Sequence, residues 1–146
     1  MPNHQNERVP APLPIIAVVG LSAKSSRPSH GVARYMQSQG YRIIPVNPTY
    51  AGTYILGEYC HASLTEAAAE LQGEGVKIGI VNCFRKSSEI GPVVDEAIAI
   101  GAPCLWTQLG VVNEAAAERA RGAGLIVVMD RCIKIEHARG NTHGVL

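Results

Sequence analysis

The sequence predicts an α/β protein: a Rossmann-like, doubly wound parallel sheet of five strands with helices on both faces, a three-layer αβα arrangement. Three observations carry the prediction. Short apolar runs alternate with stretches of helical period between Ile15 and Met129. The runs are apolar throughout, which marks strands buried on both faces. Glycine, Asn-Pro or a capping residue separates one element from the next. Right-handed crossovers leave few topologies, and 3-2-1-4-5 is the expected strand order. Ligands of such sheets sit beyond the carboxyl ends of the strands, where the order reverses.

The first strand is Ile15 to Gly20. A stretch of helical period through Val32, Ala33, Tyr35, Met36 and Gln39 stops at Gly40. Tyr41 to Val46 is the second strand, ended by Asn47-Pro48, a turn-favouring pair. Thr49 to Ala62 reads as a loop with Gly52 and Gly57 as breakers. Ser63-Leu64-Thr65-Glu66 is a capping box for a helix continuing through Leu71. Val76 to Val81 is the third strand. Ser87 or Ser88 is the expected cap of a helix that ends before Gly101. Pro103 to Thr107 is the fourth strand. Asn113 caps Glu114 to Arg121, and Gly122-Ala123-Gly124 stops it. Leu125 to Met129 is the fifth strand.

At 146 residues the chain has the length of one domain with a real core. Apolar content of 47% and charged content of 17% place it among ordinary globular proteins rather than disordered ones. A net charge of +1 supplies no field for nucleic acid or an anionic membrane, so any basic patch is local. No apolar run is long enough to span a bilayer. Residues 1–14 are polar and proline-rich, lack a signal peptide's apolar stretch, and read as a flexible tail. Residues 15–137 form the expected domain and residues 138–146 a C-terminal tail. The expected compartment is the cytoplasm, where Cys60, Cys83, Cys104 and Cys132, which have no C-x-x-C spacing, stay free thiols.

The loop Leu21 to Gly31 carries the strongest chemical signal. Strand, small hydroxylated loop and helix start form a phosphate-binding arrangement, because free N–H groups and the positive helix end face the loop. Gly20, Ser22, Lys24, Arg27, Pro28 and Ser29 are its candidate residues, with cations and hydroxyls suited to phosphate oxygens. A solvated loop that merely starts a helix is the plainer alternative. The three-glycine dinucleotide fingerprint G-x-G-x-x-G is absent. After the second strand, where NAD-binding folds carry an acid for the ribose, stand Val46, Asn47 and Pro48. They fit either a rigid turn or a wall for a flat base. Phe84, Arg85 and Lys86 follow the third strand, as a base-flanking basic turn or an exposed one. Thr107 and Gln108 follow the fourth, with groups for an uncharged polar ligand segment or for ordinary turn chemistry. Cys132 beside Arg131 is a candidate reactive thiol, against the plainer reading of an inert buried cysteine. The histidines show no metal spacing, and Asp95-Glu96 points two ways around a helix and forms no acid/base dyad. No nucleophile–base pair stands out.

The ordered series Ile16-Ala17-Val18-Val19-Gly20-Leu21-Ser22, Arg27-Pro28-Ser29, Gly40 to Pro48, Gln108-Leu109-Gly110-Val111-Val112-Asn113 and Met129-Asp130-Arg131-Cys132 resembles the small CoA-binding domain proteins of the YccU type. The resemblance covers about residues 15 to 137. That family is similar to the CoA-binding domain of the succinyl-CoA synthetase alpha subunit. It implies a Rossmann-like fold and coenzyme A or acyl-CoA as ligand. It would set the phosphates near Ser22, Lys24, Arg27 and Ser29, and the adenosine and arm near Val46, Asn47, Pro48 and Phe84. Thr107 and Gln108 would lie along the crevice, and Cys132 toward the thiol end. Asn82-Cys83 departs from the acid and apolar residue usual there.

Neutral Asn47-Pro48 removes a repulsion from the extra 3′-phosphate of CoA, which Lys24, Arg27 and Arg85 are placed to neutralise. The expectation is a non-catalytic module that binds CoA or acyl-CoA as sensor, carrier or regulator, with a small nucleotide as partner and neither nucleic acid nor membrane. An NAD(P)-dependent oxidoreductase is the alternative reading.

Overall fold

The computed structural model describes residues 12–146. The expected N-terminal tail lies outside the described residues as far as residue 11. In chain order the elements are β1 (Ile15–Val19), α1 (Pro28–Ser38), β2 (Ile43–Val46), β3 (Tyr54–Ile55), β4 (Glu58–Tyr59), α2 (Leu64–Gly73), β5 (Ile78–Cys83), α3 (Ile90–Ala99), β6 (Cys104–Thr107), α4 (Glu114–Gly122), β7 (Ile126–Val128) and α5 (Ile133–Ala138). Short 3-10 turns lie at Pro48–Tyr50 and Ser87–Glu89. Five strands form one sheet in the order β2-β1-β5-β6-β7, and every pairing is parallel.

The Rossmann-like layered fold is the one expected, but the strand order is corrected. Counting sheet strands alone it is 2-1-3-4-5, not 3-2-1-4-5. Two strands explain why. Pro45 has no N–H, so β2 belongs at an edge. Its carbonyl faces outward and accepts from His61 N–H at 3.1 Å, and no ladder bond is lost. β5 is the longest strand and is buried except for Gly79, so it takes the centre. The crossover from β2 therefore passes over β1, and the order reverses between β1 and β5.

Alternate residues of β1 face two cores. Ala17 and Val19 join Leu64, Leu71, Val94 and Ala120 under α2, α3 and α4. Ile16 and Val18 join Met36, Trp106 and Ile133 under α1 and α5. The caps mostly follow the sequence. Ser63 Oγ accepts from Glu66 N–H at 3.1 Å, and Asn113 Oδ1 accepts from Ala116 N–H at 3.0 Å. The expected serine cap of α3 is corrected. Ser87 lies in the 3-10 turn, and its hydroxyl accepts from Val112 N–H at 2.9 Å, tying two loops together. Glu96, read as part of a solvated helix face, accepts from Thr65 N–H at 3.1 Å and so adds a second cap to α2.

Three features go beyond the sequence reading, the helix α5 among them. The loop after β2 contains the β3–β4 hairpin, turned by Leu56 and Gly57, both at positive φ. The expected C-terminal tail is not free. After α5 the chain folds back, and Val145 and Leu146 pack against the α1/α5 core because their side chains are aliphatic.

Candidate functional site

The strand ends stand in a row roughly 4.8 Å apart, the spacing of neighbouring strands. At the reversal between β1 and β5 the chain needs glycine. Gly20 has φ +92°, and a Cβ there would lie 2.4 Å from the Phe84 carbonyl oxygen. This contact draws the loop after β1 against the loop after β5.

Beside it opens a cleft of about 370 Å³ lined by Gly20, Ser22, Arg27, Pro28, Ser29, Asn47, Thr49, Tyr50 and Phe84. The N-terminus of α1 forms one wall. Its N-cap is Arg27, followed by Pro28, and no side chain caps it. Proline suits this first position, where an N–H would be orphaned in any case. His30 and Gly31 N–H both donate to the Arg27 carbonyl, at 3.1 and 3.2 Å, and no acid in the first turn offsets the positive helix end. Ser29 Oγ accepts from Ser22 N–H at 3.0 Å, and Ser22 Oγ accepts from Lys24 N–H at 3.1 Å, which fixes the loop's curvature. Residues 22–34 contain Lys24, Arg27, His30 and Arg34 and no acid, so the local potential is positive although the whole chain is nearly neutral.

A second cleft of about 380 Å³ lies across the same strand ends, lined by Val19, Val46, Pro48, Ala62, Ser63, Arg85, Ser88, Glu89, Pro92, Val93 and Glu96. It is more apolar, and Glu89 and Glu96 offset Arg85. A larger cleft of about 610 Å³ lies away from the strand ends, between α2 and the start of β5. Alanine, valine and isoleucine dominate its wall, Lys77 is its one cation, and Glu96 already accepts from Thr65 N–H. It is poorly suited to a polyphosphate.

Of the fourteen residues singled out in the sequence, seven line the first cleft: Gly20, Ser22, Arg27, Pro28, Ser29, Asn47 and Phe84. Val46, Pro48 and Arg85 line the second. Lys24 is exposed and lines neither. Asn47 serves the fold first. Its Nδ2 donates to the Leu21 carbonyl at 3.0 Å, and its Oδ1 accepts from Thr49 N–H at 3.0 Å.

Thr107, Gln108 and Cys132 line neither cleft. Thr107 is buried; its hydroxyl donates to the Val111 carbonyl at 2.7 Å and accepts from Asp130 N–H at 3.0 Å. Asp130, at φ +60°, in turn accepts from Gly110 N–H at 2.7 Å. Gln108 donates its N–H to the Cys83 carbonyl at 3.1 Å, and its Oε1 is buried without a hydrogen-bond partner. Cys132 is buried at the start of α5. Burial pushes the Cys83 and Cys104 thiols up to about 12. Among the described residues no group of His, Cys, Asp and Glu could hold a metal ion, and no helix is long and apolar enough to cross a membrane.

Thr49 and Tyr50 were not anticipated. An aromatic two residues beyond the Asn47-Pro48 turn was the available signal. Ser63 and Pro92 enter the second cleft as helix-start residues, a place that helix periodicity does not reveal.

The comparisons bear on the fold and the family. The family model described as CoA binding domain matches residues 15–138. The uncharacterized protein YneT of Bacillus subtilis is 42% identical over 123 residues, 84% of either chain. A Thermus thermophilus protein of solved structure is 35% identical with a TM-score of 0.77, over 87% of this chain and 90% of its own. A hypothetical protein from Pyrococcus horikoshii is 36% identical with a TM-score of 0.76, over 85% of this chain and 81% of its own. A Thermus thermophilus dehydrogenase solved with NAD, at 14% identity and a TM-score of 0.57, covers 80% of this chain and 41% of its own and shares the fold alone. A helix start without a side-chain cap beside a cationic loop, at the reversal of a Rossmann-like sheet, is thus found in a chain that belongs to the family of CoA-binding domain proteins.

Proposed function

We propose that this protein binds coenzyme A or an acyl-CoA at the β1–β5 reversal, as a module without chemistry of its own that senses, carries or regulates through the bound nucleotide. The observation that carries the reading is the α1 N-terminus: uncapped, preceded by Arg27, and open to a cleft of about 370 Å³. A nucleotide phosphate there meets the positive end of the helix. Arg27 neutralises phosphate charge, and Tyr50 and Phe84 offer aromatic faces to the base. Lys24, exposed at the rim, stands within a long side chain's reach of a 3′-phosphate.

The pairing of the histidines supports a role without catalysis. Among the described residues, His30 meets Arg34, His61 stacks edge-on with Tyr59, His137 meets Tyr35 and His143 meets Glu136, and none of these rings bonds to a serine or cysteine side chain. Calorimetric titration with CoA, acetyl-CoA, dephospho-CoA, NADH and NADPH tests the reading. CoA binds at one site, and dephospho-CoA binds more weakly. Binding of NADPH without binding of CoA overturns the proposal in favour of an oxidoreductase.

A further inference from the structure

The face shared by the β3–β4 hairpin and α2 carries side chains that neither the core nor the nucleotide cleft uses. Tyr54 is 72% exposed and Tyr59 is 44% exposed. They pair across the hairpin with ring centroids 5.7 Å apart, and the Tyr59 ring meets the His61 ring at 4.9 Å. Cross-strand partners and residues two apart share a side of the hairpin, so the three rings form one row. Along the row runs α2, where Glu66, Glu70 and Glu74 recur every four residues and share one side of the helix. Tyr59 and His61 stand between two clefts. One, of about 240 Å³, has Glu66 on its wall; the other, of about 150 Å³, has Glu70 and Glu74.

The charge on this face is one-sided. Residues 43–76 contain Glu58, Glu66, Glu70 and Glu74 and no lysine or arginine. Arg42 answers Glu58 and Glu74, at 2.8 Å each. Among the described residues no ion pair reaches Glu66 or Glu70. Glu66 lies in the first turn of α2, where the positive helix end favours it. Glu70 has no such support, and like charges four residues apart weaken a helix. Counting Arg42, the face carries 1 − 4 = −3 on a chain whose net charge is +1. Exposed rings beside unanswered carboxylates are the complement of a cation, which the rings attract through their faces and the carboxylates through charge.

We propose that this face docks an extended segment of a partner protein carrying arginine at alternate positions, with one guanidinium entering the cleft on each side of Tyr59. The spacing fits. Glu66 and Glu70 lie about 6 Å apart along α2, four residues at 1.5 Å each. Alternate side chains of an extended chain lie about 6.8 Å apart on one side of it. Two clefts call for two cations on one chain rather than a single small one. Arginine suits them better than lysine, because its planar guanidinium stacks on a ring while bonding to a carboxylate. The face lies outside the CoA cleft and does not depend on that reading.

The probe is the blocked peptide acetyl-Gly-Arg-Ser-Arg-Gly-amide, titrated into the ligand-free full chain and followed by amide NMR shifts. Saturable shifts are expected at residues 54–61 and 66–70. In the double variant Glu66→Gln, Glu70→Gln, whose exposed positions leave the fold intact, binding should weaken about fivefold or more through the loss of two ion pairs. Setting the arginines side by side, in acetyl-Gly-Arg-Arg-Ser-Gly-amide, should also weaken it, because adjacent side chains of an extended chain point to opposite sides. Shifts confined to other residues, or none that saturate, overturn the proposal. So does an affinity that survives the double variant or ignores the arginine spacing. Equal binding of acetyl-arginine amide would make the face a site for a small cation, and shifts that change on dilution without peptide would assign it to a second copy. Either result overturns the partner segment. No CoA is present in the measurement, so failure here leaves the nucleotide reading untouched.

Discussion

Gly20 couples backbone conformation to the site. Its positive φ excludes side chains on conformational grounds, and the Phe84 carbonyl excludes them on steric grounds. Gly20→Ala should cost about 2 kcal/mol or more, combining left-handed strain with a backbone clash, measurable by urea unfolding. A cost near zero would mean that the two loops separate freely. Arg27 is the cation that lines the first cleft. Arg27→Ala should weaken CoA binding by about 1–3 kcal/mol in calorimetry, the range for a charge-assisted hydrogen bond. Lys24→Ala should cost less, because Lys24 lies outside the lining. Glu136 makes a prediction about pH. Its folded value is lowered, so its contribution is full above the ordinary carboxylate value and disappears as pH falls through the lowered one. The stability difference between the protein and Glu136→Gln should therefore be larger at neutral pH than in acid, by urea titration at each pH.

Among the elements, the β3–β4 hairpin is joined to β2 and α2 by one guanidinium. Arg42, just before β2, donates to Glu58 Oε2 in the hairpin at 2.8 Å and to Glu74 Oε1 after α2 at 2.8 Å. Its other ties are the Gln37 Nε2 bond to the Leu56 carbonyl at 2.7 Å and the buried Ile55 side chain. Arg42→Met should leave the sheet folded and speed amide exchange at residues 54–60, and unchanged exchange there would show that the hairpin holds itself. The hairpin also shows where legibility ended. A two-residue turn with both positions at positive φ normally announces itself as Asn-Gly. Here Leu56 fills the first position, so no sequence rule points to it. α5 is hidden for a related reason: Ile133-Lys134-Ile135 alternates like a strand and the helix is only 6 residues long. The main helices and strands were readable because burial on both sheet faces leaves solid apolar runs. The caps Ser63 and Asn113 were readable because orphan N–H groups select a few side chains. Ser87 was not, since its hydroxyl answers a loop 25 residues away.

Across the molecule, strand order decides where the site lies. Pro45 was the legible clue that β2 is an edge strand, and it moves the reversal to β1–β5. Five of the seven anticipated residues there, Gly20, Ser22, Arg27, Pro28 and Ser29, come from the one segment between β1 and the start of α1, while Asn47 and Phe84 are brought in by the sheet. Tyr50 meets them only through the fold of the loop after β2. The loops after β1, β2 and β5 converge on one cleft while the groove between α2 and β5 stays remote, so a ligand should leave a spatial signature. CoA at about 100 times its dissociation constant should add about 2.7 kcal/mol to unfolding stability through mass action alone. Amide exchange should slow at residues 20–29, 47–50 and 84–89, which come together only in the folded sheet. It should stay unchanged at residues 68–78 along the remote groove. Protection of that groove with the three loops unaffected would place the nucleotide at the wrong end of the sheet, whatever its affinity. Protection of the first loop alone would leave a phosphate site without a nucleotide site, because the base and the arm need the walls that β2 and β5 supply.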